Sequence, residues 1–263
     1  SDVTVLNGDG SSKRTVTTSN QDASLRTVSE TVTSADGLTM TVRTDVDGDG
    51  QFEEKTVDAR VLETDGGTTR TTSNYAGDET SLLSQTTVHD SADRRVQTIT
   101  IDRDGDGNTD TLSVRSEGSD GARTLTETVT ANDGTVLGHT VSSTSANGLV
   151  TETATDLDGD LSADVSATRT TILHADGSQT TTQQSFNGDQ SLRSASVVTV
   201  SDDGLETSTS TDSDGDGTFE RVVTEKAVLE SDGSTTTTMD IRSSNNTLLS
   251  RTQTEVSDDG LVA

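Results

Sequence analysis

Four short acidic loops recur along this 263-residue chain, each spacing its carboxylates as ligands for a hard cation. They read Asp45-Val-Asp47-Gly-Asp49-Gly-Gln-Phe-Glu53, Asp102-Arg-Asp104-Gly-Asp106-Gly-Asn-Thr-Asp110, Asp156-Leu-Asp158-Gly-Asp160-Leu-Ser-Ala-Asp164 and Asp212-Ser-Asp214-Gly-Asp216-Gly-Thr-Phe-Glu220. Acids hold loop positions 1, 3, 5 and 9 every time, while the residues between them drift. Calcium takes about six to eight oxygens at roughly 2.3–2.6 Å, and alternate Asp side chains on a curled loop supply them, with a backbone carbonyl at position 7. Glycine at positions 4 and 6 allows the positive-φ turns that point those oxygens inward. A plain surface turn also uses Asp and Gly, but it has no need of a ninth-position acid. The ion expected is Ca²⁺. In the third loop Leu161 replaces the position-6 glycine, so that site is expected to be the weakest.

The elements that carry these loops repeat with them. Eleven residues before each loop stands Ser34-Ala-Asp-Gly-Leu38, Ser91-Ala-Asp-Arg-Arg95, Ser145-Ala-Asn-Gly-Leu149 or Ser201-Asp-Asp-Gly-Leu205, and Ser257-Asp-Asp-Gly-Leu261 opens a fifth copy. The first residues of these landmarks lie 57, 54, 56 and 56 positions apart. Val5-Leu6, Val61-Leu62, Ile172-Leu173 and Val228-Leu229 each precede an Asp-Gly turn. An aliphatic column, Leu25, Leu82, Val136, Leu192 and Leu248, stands nine residues before each Ser landmark and is expected to line a narrow apolar seam between units. The organisation read from this is a partial repeat over 1–33, repeats over 34–90, 91–144, 145–200 and 201–256, and the start of another at 257–263.

Between landmarks run Thr-, Ser- and Val-rich segments such as Leu38-Thr-Met-Thr-Val-Arg-Thr44. β-branched residues alternating with polar ones, bounded by Asp-Gly, predict strands joined by hairpins. Proline is absent, so nothing confines a strand to an edge. The fold class expected is all-β: repeats of about 56 residues, four strands and four turns each, whose antiparallel hairpins stack into an elongated, solenoid-like array. A β-propeller of four-stranded blades is the alternative.

Composition narrows the function. The AVILMFWYC fraction is 26% and aromatics are 2%, too little apolar matter for an ordinary core. With a net charge of -28 this composition also suits a disordered chain, so order is expected to depend on bound metal. Four Ca²⁺, at two charges each, would leave -20. With 18 basic residues against 46 acidic ones and no basic run, a nucleic-acid partner is not expected, and neither is docking on anionic lipid. There is no cysteine, which excludes disulfides and thiolate metal sites. No apolar run approaches membrane-spanning length, and Ser1-Asp-Val-Thr-Val-Leu6 carries no signal-peptide pattern. Loops of this type in extracellular modules bind at about 10⁻⁴–10⁻³ M, matching calcium outside cells. An extracellular or cell-surface location is therefore expected.

The Asp-x-Asp-Gly-Asp-Gly loop with its position-9 acid resembles the calcium loops of FG-GAP-type β-repeats. The whole string of landmarks is similar to repeat arrays of very large secreted calcium-binding bacterial proteins, the RTX or hemolysin-type adhesins. The glycine-rich nonapeptide of RTX β-rolls is missing, as are the Phe-Gly and Gly-Ala-Pro elements of FG-GAP blades. The resemblance implies secretion, calcium-dependent folding outside the cell and a structural or adhesive role. The function expected is a calcium-stiffened stalk or filament segment for adhesion or biofilm matrix, its partners being calcium ions and neighbouring repeats or identical subunits. A carbohydrate- or ice-binding module built on Thr-rich faces such as Thr235-Thr-Thr-Thr238 is the alternative. No enzyme is expected: His89, His139 and His174 fall in different columns of the repeat, and none is spaced with a nucleophile.

Overall fold

The computed structural model describes residues 1–258 and 260 and, among them, contains strands and turns and no helix. The expected landmark at Ser257–Leu261 falls partly outside the described residues, at positions 259 and 261. Two compact units divide the chain, one of Ser1–Gly118 with Thr124–His139, the other of Ser119–Arg123 with Thr140–Ala263.

In the first unit the strands are β1 (Asp2–Leu6), β2 (Ser12–Ser19), β3 (Leu25–Thr33), β4 (Thr39–Asp45), β5 (Glu54–Leu62), β6 (Thr68–Ala76), β7 (Leu82–Asp90), β8 (Val96–Asp102) and β9 (Thr111–Glu117). Next come β10 (Arg123–Thr130) and β11 (Val136–Thr144), which have residues in both units. The second unit continues with β12 (Val150–Asp156), β13 (Val165–Leu173), β14 (Gln179–Asn187), β15 (Leu192–Val200), β16 (Glu206–Asp212), β17 (Arg221–Leu229), β18 (Thr235–Ser243) and β19 (Leu248–Val256). From β1 to β9, and again from β12 to β19, each strand pairs antiparallel with its neighbours in sequence. The hairpins thus join edge to edge through backbone hydrogen bonds into an open meander.

This is the expected four-strand repeat, and it is not a propeller. Blades would interrupt the ladder at each repeat, whereas here β3–β4, β7–β8 and β15–β16 pair straight across the repeat boundaries.

The sheet has almost no core. Within each unit, and among the described residues, strands contact only their ladder neighbours, and no second layer of strands covers either face. Ala195 is the one buried apolar residue among those described. The 27.4 kDa chain exposes 16062 Å², against about 11,000 Å² for a compact monomer of that mass. Order must come from the ladder and from cross-strand pairs, such as Thr171–Thr181 at 3.0 Å and Arg14–Asp2 at 2.7 Å.

Turn chemistry explains the landmarks. In the Ser-x-Asp-Gly-Leu turn, Ser34 N donates to Thr39 O (2.9 Å) and Gly37 N to Ser34 O (2.9 Å), while Asp36 Oδ1 accepts from Leu38 N (3.0 Å). Ser34 Oγ accepts from Thr39 N at 2.9 Å. Asp36, Asp93 and Asp203 are held below the usual carboxylate range by the adjacent Ser hydroxyl and by the backbone N–H two residues on, the N–H dominating at Asp93. The residue after the Asp must take φ near +70°, which Gly37 and Gly204 do freely.

Because the strands alternate in direction, every second turn lies at the same end of the sheet. Within each unit the acidic loops, after β4, β8, β12 and β16, share one end with the short turns after β2, β6, β14 and β18. Each of those short turns begins with a β-bulge, at Thr18/Ser19, Asn74/Tyr75, Ser185/Phe186 and Ile241/Arg242. An extra residue there raises the local twist at the loop-bearing end.

Candidate metal centres

Each acidic loop is an Asp-rich connection between two paired strands, and its first aspartate closes the incoming strand. Asp45, Asp102, Asp156 and Asp212 end β4, β8, β12 and β16 and are buried, Asp45 and Asp212 to 1% exposure. In a sheet whose apolar side chains are mostly half-exposed, the most buried large side chains are carboxylates. Backbone amides hold each of them. Gly48 N and Gly50 N donate to the two oxygens of Asp45 (2.6 and 3.0 Å), and Gly105 and Gly107, Gly159 and Leu161, and Gly215 and Gly217 repeat this at Asp102, Asp156 and Asp212. Burial disfavours ionisation of Asp156, but the N–H donors of Gly159, Leu161 and Asp158 outweigh it and hold its carboxyl below the usual range. In the first, second and fourth loops one N–H reaches each oxygen of the position-1 aspartate and leaves a lone pair for a cation; in the third, Asp156 Oδ1 accepts from both Asp158 N (3.1 Å) and Gly159 N (2.7 Å), so Oδ2 is the oxygen that retains one.

The other acids are positioned by amides too. The position-9 acid accepts from the N–H of position 2, as in Val46 to Glu53 Oε2 (2.7 Å), Arg103 to Asp110 (2.6 Å), Leu157 to Asp164 (2.7 Å) and Ser213 to Glu220 (2.9 Å). Position 3 accepts from position 5, and position 5 from position 7. These amide contacts curl the loop around its carboxylates.

Asp45, Asp47, Asp49 and Glu53 bring one oxygen each within 4.8 Å of one another, and Asp212, Asp214, Asp216 and Glu220 do the same. Ligands around one ion at roughly 2.4 Å can be no more than about 4.8 Å apart, so each set fits a single coordination sphere. In the second and third loops the sets are Asp102, Asp104 and Asp110, and Asp156, Asp158 and Asp164. Asp106 and Asp160 are expected ligands that these two sets do not include. No Lys or Arg forms an ion pair with any of the sixteen loop acids among the described residues. Four acidic clusters, able to hold a metal ion and lacking a basic counter-charge, are the chemical content of this fold.

The framework around each loop is backbone. A Cβ built at Gly48 would lie 2.5 Å from the Leu25 carbonyl oxygen; at Gly105 and Gly215 it would lie 2.1 Å from those of Leu82 and Leu192. The aliphatic column therefore does not form the expected apolar seam. Leu25, Leu82, Val136 and Leu192 are half-buried at strand starts and Leu248 is 42% exposed, and at Leu25, Leu82 and Leu192 the carbonyl is the floor on which the position-4 glycine rests. On the other flank, a Cβ at Gly77 or Gly188 would meet Phe52 O or Ala163 O at 2.9 and 3.0 Å. Asn132 occupies the corresponding turn position in the second repeat. Its Nδ2 donates to Asp104 Oδ2 at 2.8 Å, while its carbonyl accepts from Asn108 Nδ2 at 3.3 Å. Sequence reasoning missed Asn132; aligning the short turns on the residue before their Asp would have found it. The histidines sit apart from the clusters, beside Thr69, Thr128 and Thr180 hydroxyls. No family model matches the chain, and no curated protein matches it.

Proposed function

We propose that the chain is a calcium-binding structural repeat segment of an extracellular surface protein, a stalk or filament element whose sheet is stiffened by one Ca²⁺ per repeat. One observation carries this reading: the position-1 aspartates are buried at the centre of acid clusters with no basic partner. Amide donors hold the position-1 carboxylates themselves, but the repulsion among the gathered acids of each cluster is left unrelieved, and a divalent cation removes it. An all-oxygen donor set without His or Cys favours a hard ion over zinc or copper, and three or four carboxylates gathered on one curled loop suit the large, irregular sphere of Ca²⁺ better than the octahedron of Mg²⁺. Millimolar affinity in such loops fits a chain that orders once outside the cell. The repeat lattice supports a structural role, since each hairpin rests only on its ladder neighbours and extension needs no new core.

The test is calcium-dependent order. Adding millimolar Ca²⁺ to EDTA-stripped protein is expected to raise β-type circular dichroism and shrink the hydrodynamic radius, with Mg²⁺ less effective. Metal-free protein that is already fully β, compact and equally heat-stable would overturn the reading.

A further inference from the structure

Residues paired directly across a ladder point to the same side of the sheet, so the register sorts the strand residues of the second unit onto two faces. One face carries a continuous row across β13–β18: Thr171, Thr181, Val198, Thr209, Val223 and Ile241. Among the paired residues of β12–β19, this face bears three charges, Arg169, Arg221 and Glu225; the rest are Thr, Ser, Gln, Asn and apolar side chains. In a chain of net charge -28 this one surface is nearly neutral.

Its neighbours show how local that neutrality is. The opposite face of the same strands holds Glu152, Glu206, Asp212, Lys226, Asp240 and Glu255. In the first unit, the face turned away from the position-1 aspartates carries Asp58, Arg60, Arg70, Asp90 and Arg115. Only in the second unit is that face cleared of charge, and no second layer of strands covers it among the described residues. Leu173 and Leu229 stand on it 62% and 70% exposed.

We propose that this face docks a second copy of the chain, the two sheets stacking face to face about 10 Å apart. Eight strands of about eight residues, spaced about 4.8 Å apart, offer about 900 Å², close to the roughly 800 Å² per partner of a standard interface. Charge selects the occupant. Copies repel over most of their surface, but here they meet without a like-charge cost. Arg221 and Glu225 lie on β17 two residues to either side of Val223. With a twofold axis along the Thr171–Ile241 row, Arg221 of each copy lies over the partner's Glu225, so one self-complementary contact forms two ion pairs. Arg169 then lies over the partner's Leu173, which its aliphatic stem can cover. The docking rests on the paired sheet, whichever ion fills the loops.

Sedimentation equilibrium of the full chain in millimolar calcium tests this, with circular dichroism confirming that every variant keeps its sheet. A concentration-dependent monomer–dimer equilibrium is expected. Thr209→Asp, in the middle of the row, should weaken the dimer about tenfold or more, whereas Ser208→Asp, its neighbour on the opposite face, should leave it unchanged. Arg221→Glu and Glu225→Arg each set like charges over one another and should weaken the dimer similarly. Mixed in equal amounts, those two variants restore opposite charges at both contacts and should dimerise with each other. A chain that stays monomeric at every concentration, a dimer lost in Ser208→Asp but not in Thr209→Asp, or single variants that do not recover on mixing would overturn the proposal. So would retention of a monomeric chain on cellulose that Thr209→Asp abolishes, which would give the face to a polysaccharide instead.

Discussion

Replacing Gly215 with alanine separates two demands that the acidic loop makes on its glycines. Gly215, at position 4, has φ +76° and would place a Cβ 2.1 Å from the Leu192 carbonyl oxygen. A carbon–oxygen contact needs about 3.3 Å, so the loop must lift from the start of β15 by more than about 1 Å. That exceeds the whole spread of calcium–oxygen distances, roughly 0.3 Å. Gly217, at position 6, has φ +86° and nothing within 4 Å of its Cβ. Gly217→Ala therefore meets only the left-handed backbone cost of about 1–2 kcal/mol. Gly215→Ala adds overpacking of about 1–3 kcal/mol against an immovable backbone atom, for a total of about 2–5 kcal/mol. At about 1.4 kcal/mol per tenfold, calcium affinity at the fourth site should fall roughly thirtyfold or more for Gly215→Ala and roughly tenfold for Gly217→Ala. Calorimetric titration, with backbone amide shifts in 212–220 to assign the weakened site, checks both. If Gly217→Ala is as damaging as Gly215→Ala, the carbonyl floor is not what fixes position 4.

Three further outcomes are expected. Leu161→Gly should tighten calcium at the third loop by about fivefold, since Leu161 holds φ 68° in open solvent and relief of a left-handed residue returns about 1 kcal/mol; unchanged or weaker binding by calorimetry would contradict this. Leu192→Asp should loosen the fourth loop and the strands beside β15 while leaving the first unit's amide-exchange protection intact, and uniform loss of protection would reveal a cooperative core that the sheet lacks. Arg251, donating from Nε and Nη2 at 2.6 Å each, holds the Asp240 carboxyl down to about 2. Folding depresses this pKa below its ordinary 3.8, so its stabilisation is present above about pH 4 and disappears as pH falls toward 2; Arg251→Met should move the acid-unfolding midpoint upward, and an unmoved midpoint refutes the linkage.

Much of this architecture was legible because turn chemistry and strand alternation are local. Asp-Gly at fixed offsets specified most hairpin ends, although Ala23, Glu79, Arg94, Gln190 and Asn246 take the positive-φ place in other turns, and the Thr/Val alternation marked the strands between them. What the faces of those strands would meet was not legible: period-two alternation suits a half-covered sheet and an uncovered one alike, so the column from Leu25 to Leu248 read as a seam when three of its members instead serve through their carbonyl groups. A backbone oxygen has no residue signature. Twelve of the sixteen expected ligands stand at positions 1, 3 and 9, where the loop gathers carboxylates in every repeat, and Asp49 and Asp216 join them at position 5; Asp106 and Asp160 show that identical spacing does not guarantee identical aim.

The placing of the acidic loops at one end of the sheet, four strands apart within each unit, sets how they answer to concentration. Strands lie about 4.8 Å apart, so successive centres in a unit are about 19 Å from one another. At physiological salt the Debye length is about 8 Å, and one ion arriving scarcely alters the potential felt at the next. No buried core carries strain between them either. Each loop should therefore fill along its own simple hyperbola, giving a graded reading of calcium with a Hill coefficient near one, so that the sheet gains rigidity in proportion to the ion present instead of switching at a threshold.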